Sequence, residues 1–274
     1  MSSDPTTQLP ITKINATTSS VTVDALASEE PLEIRLEYNA ADQVLLKTIS
    51  VTMRTPGRDD DLATGFLFTE GIISSKDQIV VKPVVAENVI TLLATPSVAI
   101  NIEKLDRHFY TTSSCGVCGK TSIEAIKTVC QLSDSKNDHQ YPASLISQLP
   151  EKLRHSQEVF DRTGGLHASA LFNAQGELLL LREDVGRHNA LDKLIGAALF
   201  AEMMPLNDHI LLLSGRISFE LVQKAAMAGI KLVAAIGAPS SLAVQTAESF
   251  NMTLIGFLRD QRFNIYSGAQ RIVI

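Results

Sequence analysis

The 274-residue chain contains no tryptophan, only three cysteines, and aromatic residues at 5% of its length. Each scarcity excludes a class of protein. Three cysteines cannot build the paired disulfide framework of a small secreted domain, and with no export signal they point to the reducing cytoplasm. No block of lysine and arginine occurs and the formal net charge is −6, so a nucleic acid is not an expected partner. No apolar run is long enough for a membrane span or a secretory signal, which excludes a membrane partner as well.

What is present suits a globular protein. The chain is 45% hydrophobic, and its length fits one large or two ordinary domains. Residues 1–30, rich in Ser and Thr, read as a disordered tail. Residues 31–110 are strand-rich: apolar positions alternate in Leu32-Glu-Ile-Arg-Leu36, from Val44 to Met53 and from Val89 to Leu93. One helix interrupts them, with Asp59-Asp-Asp61 at its start, Leu62 to Thr69 as its body and Gly71 as its stop. Residues 111–141 hold a cysteine loop, a helix and a polar linker. From 142 onward, helices alternate with the apolar runs Ile210 to Leu213, Leu232 to Ile236 and Leu254 to Phe257, after a hairpin around Asn173-Ala-Gln-Gly176. That alternation predicts an α/β domain with a largely parallel sheet covered on both faces.

Two of the three cysteines stand in Thr112-Ser-Ser-Cys-Gly-Val-Cys-Gly-Lys120. Thr121-Ser-Ile-Glu124 follows as a capping box opening a helix that reaches about Gln131. A helix N-terminus and the neighbouring Lys120 both favour thiolate, the reactive form of cysteine. Structural zinc would need a second pair of ligands, yet Cys130 falls on the helix's apolar face with Ile123 and Ile126, so no metal is expected. A buried pair fits poorly between hydroxyl residues and a lysine. A redox pair and a sulfur-transfer site, in which the thiolate holds a persulfide, both remain open.

Four turns form a second constellation: Asp184-Val-Gly-Arg-His-Asn189, Ser214-Gly-Arg-Ile-Ser218, Gly237-Ala-Pro-Ser-Ser241 and Gly256-Phe-Leu-Arg-Asp-Gln-Arg262. They follow strands, mostly where a helix begins. Open α/β sheets bind ligands at that edge, where helix N-termini favour phosphates. Arg187, Arg216, Arg259 and Arg262 add bidentate donors. An anionic, nucleotide-like ligand is expected, although any one arginine alone is more simply read as a surface ion pair. His167, after Gly164-Gly165, could be a ligand, an acid/base or a structural residue. Zinc-deaminase chemistry would want a glutamate where Ser169 stands.

With both halves in view the chain resembles the FdhD family, sulfur carriers required for formate dehydrogenase activity. The likeness runs from Pro31 to Ile272 through Arg54-Thr-Pro-Gly57, Gly65 to Ile73, Ser113 to Gly119, Thr163-Gly-Gly-Leu-His167, Arg182 to Lys193 and Ser214 to Ser218. It implies a sulfurtransferase that takes sulfur from a cysteine desulfurase and passes it to the molybdenum cofactor, in its bis(molybdopterin guanine dinucleotide) form, before insertion into formate dehydrogenase. Cys115 would carry the persulfide, with Cys118 as its partner. The cofactor segment would map onto Phe257, Leu258, Arg259, Asp260, Gln261 and Arg262, joined by the turns at Gly186, Arg187 and His188 and at Ser214, Gly215 and Arg216. A homodimer with a cytidine-deaminase-like α/β/α second half, lacking the catalytic zinc, is also implied.

Overall fold

The computed structural model describes residues 4–40, 43–84, 86–95 and 139–274. Cys115, Cys118, Cys130 and the helix expected after the loop lie outside them.

The Ser/Thr-rich start was expected to be disordered; it instead forms β1 (Thr6–Asn15) and β2 (Thr18–Ala27), paired antiparallel from Thr6↔Ala27 to Asn15↔Thr18. The reason is residue type. Thr, Val and Ile are β-branched and favour a pleated strand, and the two-residue Ala16-Thr17 turn, with Ala16 at φ 49°, closes the hairpin.

A four-stranded sheet follows, built from β3 (Glu30–Ala40), β4 (Gln43–Arg54), β5 (Ile79–Val81) and β6 (Val89–Ala94) in the order β4-β3-β6-β5. The alternation read from the sequence is real: Leu32, Ile34, Leu36 and Tyr38 are buried on one face. Helix α1 (Asp59–Thr69) starts at its three aspartates as expected.

The second half comprises β7 (Tyr141–Pro142), α2 (Ala143–Arg154), α3 (Glu158–Thr163), β8 (His167–Phe172), β9 (Leu178–Asp184), α4 (Arg187–Phe200), β10 (Ile210–Leu213), α5 (Phe219–Met227), β11 (Leu232–Ala235), α6 (Ser241–Ser249), β12 (Thr253–Arg259), β13 (Arg262–Ser267) and β14 (Ile272–Val273). Six strands form one sheet in the order β13-β12-β11-β10-β8-β9. It is mixed rather than largely parallel: β10–β11 and β11–β12 run parallel, while β8–β9, β10–β8 and β12–β13 are antiparallel. Hairpins flank the parallel centre, and a short turn can join only antiparallel neighbours.

Helices cover both faces. Ile146, Leu149 and Leu153 of α2 pack on Ala170, Phe172 and Leu212 on one side. On the other, α4, α5 and α6 share a continuous core with α1 and the inner face of the first sheet. Helices α1 and α4 cross at Gly65 and Gly196, where a Cβ on either glycine would overlap the backbone carbonyl of Asp192 or of Asp61. Beside this crossing Lys224 of α5 bonds to Asp192 Oδ2 at 2.9 Å, to Thr69 Oγ1 at 2.9 Å and to Glu70 Oε1 at 3.4 Å. Burial opposes the Lys224 charge, but Asp192 and Glu70 outweigh it and raise its pKa. Among the described residues no helix is long and apolar enough to cross a membrane.

Candidate functional site

The strand directions bring the predicted turns to one edge. His167, at the start of β8, pairs with Asp184 at the end of β9, and Ser169 pairs with Leu213 at the end of β10. Parallel β11 and β12 end on the same side. Ala168 N donates to Ser214 Oγ at 2.8 Å, Gly237 N to Gly215 O at 3.2 Å and Phe257 N to Gly237 O at 3.1 Å. The loops are thus stitched side by side. Gly237 is required for that closeness, since a Cβ there would lie 2.7 Å from Gly215 O, and one on Gly215 would press on the His167 ring at 3.0 Å from Nδ1.

The turn before α4 is held from below. Buried Asp184 accepts from Gly186 N at 2.8 Å and from Thr55 N at 3.2 Å, and pairs with the buried Lys193 ammonium at 2.7 Å. Lys193 also donates to Thr55 O at 2.8 Å, and Val185 N to Thr55 Oγ1 at 3.1 Å. The Arg54–Gly57 motif of the first half and the Asp184–Asn189 motif of the second therefore lock together. Asp184, read from sequence only as a possible surface partner for a neighbouring arginine, is instead buried against Thr55 and Lys193, a link across more than 120 residues that has no local signal.

On this support stand Arg187 and His188, the first residues of α4. Arg187 Nε is buried and has no hydrogen-bond partner among the described residues. An orphaned guanidinium donor at the N-terminus of a 14-residue helix suits an oxyanion. His188 Nε2 shares a 3.1 Å hydrogen bond with Ser218 Oγ and lies 3.9 Å from Glu220 Oε2. Its pKa falls to about 4, first through burial and then through Arg187 and Lys224. His167 is lowered too, by burial and then by Arg187. Both rings are neutral near pH 7, leaving Arg187 as the fixed charge between them. Sequence reasoning missed Glu220.

Phe257 to Arg262, expected as a turn after a strand, is a β-hairpin: β12 runs on to Arg259 and returns as β13. Phe257, Asp260 and Gln261 have φ of 53°, 50° and 60°, strained values for residues with side chains. Leu258 is buried, whereas Arg259 and Arg262 are exposed and directly paired across the ladder. Like charges in register destabilise a hairpin tip, and a bound anion would offset that repulsion. Arg216 is exposed on its own turn. The structure thus brings together Gly186 to His188 and Ser214 to Arg216 with Phe257 beside them, and extends the Arg259–Arg262 tip past the edge. Among the described residues no group of three or more His, Cys, Asp or Glu is arranged around a metal ion.

Residues 27–273 match the FdhD/NarQ family model. The chain is 47% identical over 261 residues to the sulfur carrier protein FdhD of Streptomyces avermitilis, covering 92% of this chain and 90% of that one. It is 46% identical over 276 residues to the protein of that name from Mycolicibacterium paratuberculosis, covering 97% and 98%. Among solved structures, one described as a formate dehydrogenase accessory protein from Desulfotalea psychrophila superposes with a TM-score of 0.75 at 24% identity over 98% of this chain and 100% of that chain, a likeness of fold. Family model, identity and coverage agree: the chain belongs to the FdhD/NarQ family.

Proposed function

We propose that the protein is a cytoplasmic, homodimeric sulfurtransferase in formate dehydrogenase maturation. Cys115 takes sulfur from a cysteine desulfurase and delivers it to the molybdenum cofactor, bound as substrate in its bis(molybdopterin guanine dinucleotide) form, before that cofactor enters formate dehydrogenase. Loading is thiol–disulfide chemistry without net redox. The Cys115 thiolate attacks the outer sulfur of the donor's persulfide, a new S–S bond forms, the donor's S–S bond breaks and its thiolate leaves. Cys118, three positions further along the sequence, balances delivery: its thiolate attacks the inner sulfur of the Cys115 persulfide, a Cys115–Cys118 disulfide forms, and the outer sulfur leaves as sulfide for the cofactor.

The observation that carries the acceptor half is the sheet edge. Arg187 offers a buried donor that has no partner among the described residues, and the glycines at 215 and 237 let backbone approach backbone there. Arg216, Arg259 and Arg262 add exposed cations suited to pyrophosphate oxygens. The names of the relatives support the sulfur-carrying half.

The test is mass spectrometry after incubation with a cysteine desulfurase and cysteine. The wild-type chain should gain about 32 Da at Cys115, one sulfur, and Cys115→Ala should gain none while its fold is unchanged. Retained binding of GDP without any added mass would replace sulfur transfer by a non-catalytic, cofactor-holding chaperone.

A further inference from the structure

The hairpin β1–β2 is its own two-stranded sheet, and its main tertiary contact is at its base, where β2 rests on α3 and Arg162 Nη2 donates to Thr6 Oγ1 at 3.0 Å. Beyond that base nearly every residue is exposed. An isolated two-stranded hairpin is marginal in water, so a free arm of this length calls for a covering surface.

Register identifies the face to be covered. Directly paired residues and those two apart share a face, which puts Gln8, Pro10, Thr12 and Ile14 with Ala25, Val23, Val21 and Ser19. This face carries no charge, whereas Lys13 and Asp24 lie on the other. Val21, Ile14 and Val23 are exposed at 79%, 64% and 61%, among the most exposed large apolar side chains of the molecule.

A second apolar stripe lies on the same chain. The β3–β4 register, with its irregularity at Ile34/Arg35, sets Val44, Leu46, Val51 and Met53 on the outward side of β4, opposite the buried Leu32, Ile34 and Leu36. They are 65%, 56%, 63% and 47% exposed, and β4 is an edge strand. Arm and stripe also match in length: at about 3.4 Å per residue, ten-residue strands and the span from Val44 to Met53 both measure roughly 34 Å.

We propose that two copies of this chain clasp each other, each laying the uncharged face of its β1–β2 arm along the outward β4 stripe of the other. A ribbon about 34 Å long and roughly 10 Å wide presents roughly 340 Å² per face. The arm is wider than one strand, so it also covers the outward row of β3, where Arg35 pairs with Glu33 and Lys82 with Glu37; made twice about a two-fold axis and counted on both partners, the contact totals roughly 1,400 Å², within the range of stable specific interfaces. One arm laid on one stripe without reciprocation would bury only about half of that, below that range. Reciprocity covers both surfaces that the described residues of each copy leave exposed, and the pairing closes at two.

The inference rests on the homodimer in the proposed function and is independent of sulfur transfer. Light scattering after gel filtration of the full chain should give twice the chain mass at micromolar concentration. Val21→Asp/Val23→Asp, at exposed positions that the monomer fold does not need, and separately Leu46→Asp/Val51→Asp, should each give monomers with unchanged circular dichroism. A wild-type monomer would overturn both the clasp and the homodimer, and a dimer that survives either double variant would overturn the clasp alone. Sulfur loading at Cys115, read in the same samples, reports separately on the transferase reading.

Discussion

Arg54 and Arg187 carry the same side chain in opposite settings. Arg54 is 2% exposed and fully engaged: Nε meets Asp59 Oδ1 at 2.9 Å, Nη2 meets Asp59 Oδ2 at 3.0 Å and Asn88 Oδ1 at 2.9 Å, and Nη1 meets Glu30 Oε2 at 3.4 Å. Arg187, at the sheet edge, keeps a buried Nε without a partner among the described residues. The contrast extends to the regions around them. In the seam joining the two halves, Asp184–Lys193, Asp192–Lys224 and Asp61–Arg182 are closed pairs. Along the edge, arginines stand beside neutral histidines and strained backbone. Charge with partners holds the fold together, and the Arg187 Nε left over among the described residues is where the proposed anion would bind.

The seam is the place to break this contrast most severely. Lys224→Met leaves Asp192 buried without its cation, so unfolding free energy should drop by about 3 to 5 kcal/mol, the usual cost of orphaning one partner of a buried pair. The double variant Lys224→Met/Asp192→Asn should recover much of the loss, because no uncompensated charge remains. Urea titrations of the three proteins give both numbers. A single-variant loss below about 1 kcal/mol would put the seam pair on the level of an exposed ion pair.

At the edge the pattern should invert. Arg187→Ala removes a half-buried side chain whose Nε has no partner among the described residues, so stability should move by no more than about 1 kcal/mol. GDP affinity should fall by about 1.5 to 3 kcal/mol, the contribution of a charged hydrogen bond. Calorimetry beside thermal melts separates the two effects. Unchanged GDP affinity would leave the anion to Arg216 and the Arg259–Arg262 tip.

The elements that were legible in the sequence are those whose signal is local. Helix α1 follows from three aspartates and Gly71, and β10 and β11 from their apolar runs; the turns after them could be seen to share one edge. The β1–β2 arm was missed because abundant Ser and Thr suggest disorder, and the few Val, Ile and Leu residues that line one face of the hairpin are too thinly spread along the sequence to stand out. β13 was missed because none of its residues is buried and its turn, Asp260-Gln261, holds positive φ without glycine. The seam was invisible for another reason. Lys224 and Asp192 sit in helices whose neighbours are apolar, a hint of burial, but which acid meets which base depends on how α1, α4 and α5 cross.

The smallest expected effect tests whether His188 belongs with the edge or with the seam. Its pKa is lowered from 6.5 to about 4, by burial first and then by Arg187 and Lys224, with Glu220 pulling the other way and His167 adding to the depression. Because the folded value lies below the unfolded one, the unfolded chain takes up this proton first as pH falls. Stability from the neutral ring is therefore complete above about pH 6.5 and is lost as pH drops from there toward 4. With 37% of the side chain in solvent, screening reduces the effect to about 1 kcal/mol. Urea stability measured from pH 7.5 to 4 should decline less steeply in His188→Gln than in the parent, and the difference isolates this ring from His167 and from the carboxylates that titrate in the same window. Parallel curves would mean that water reaches the imidazole freely and that its contact with Ser218 holds no more than a surface hydrogen bond does.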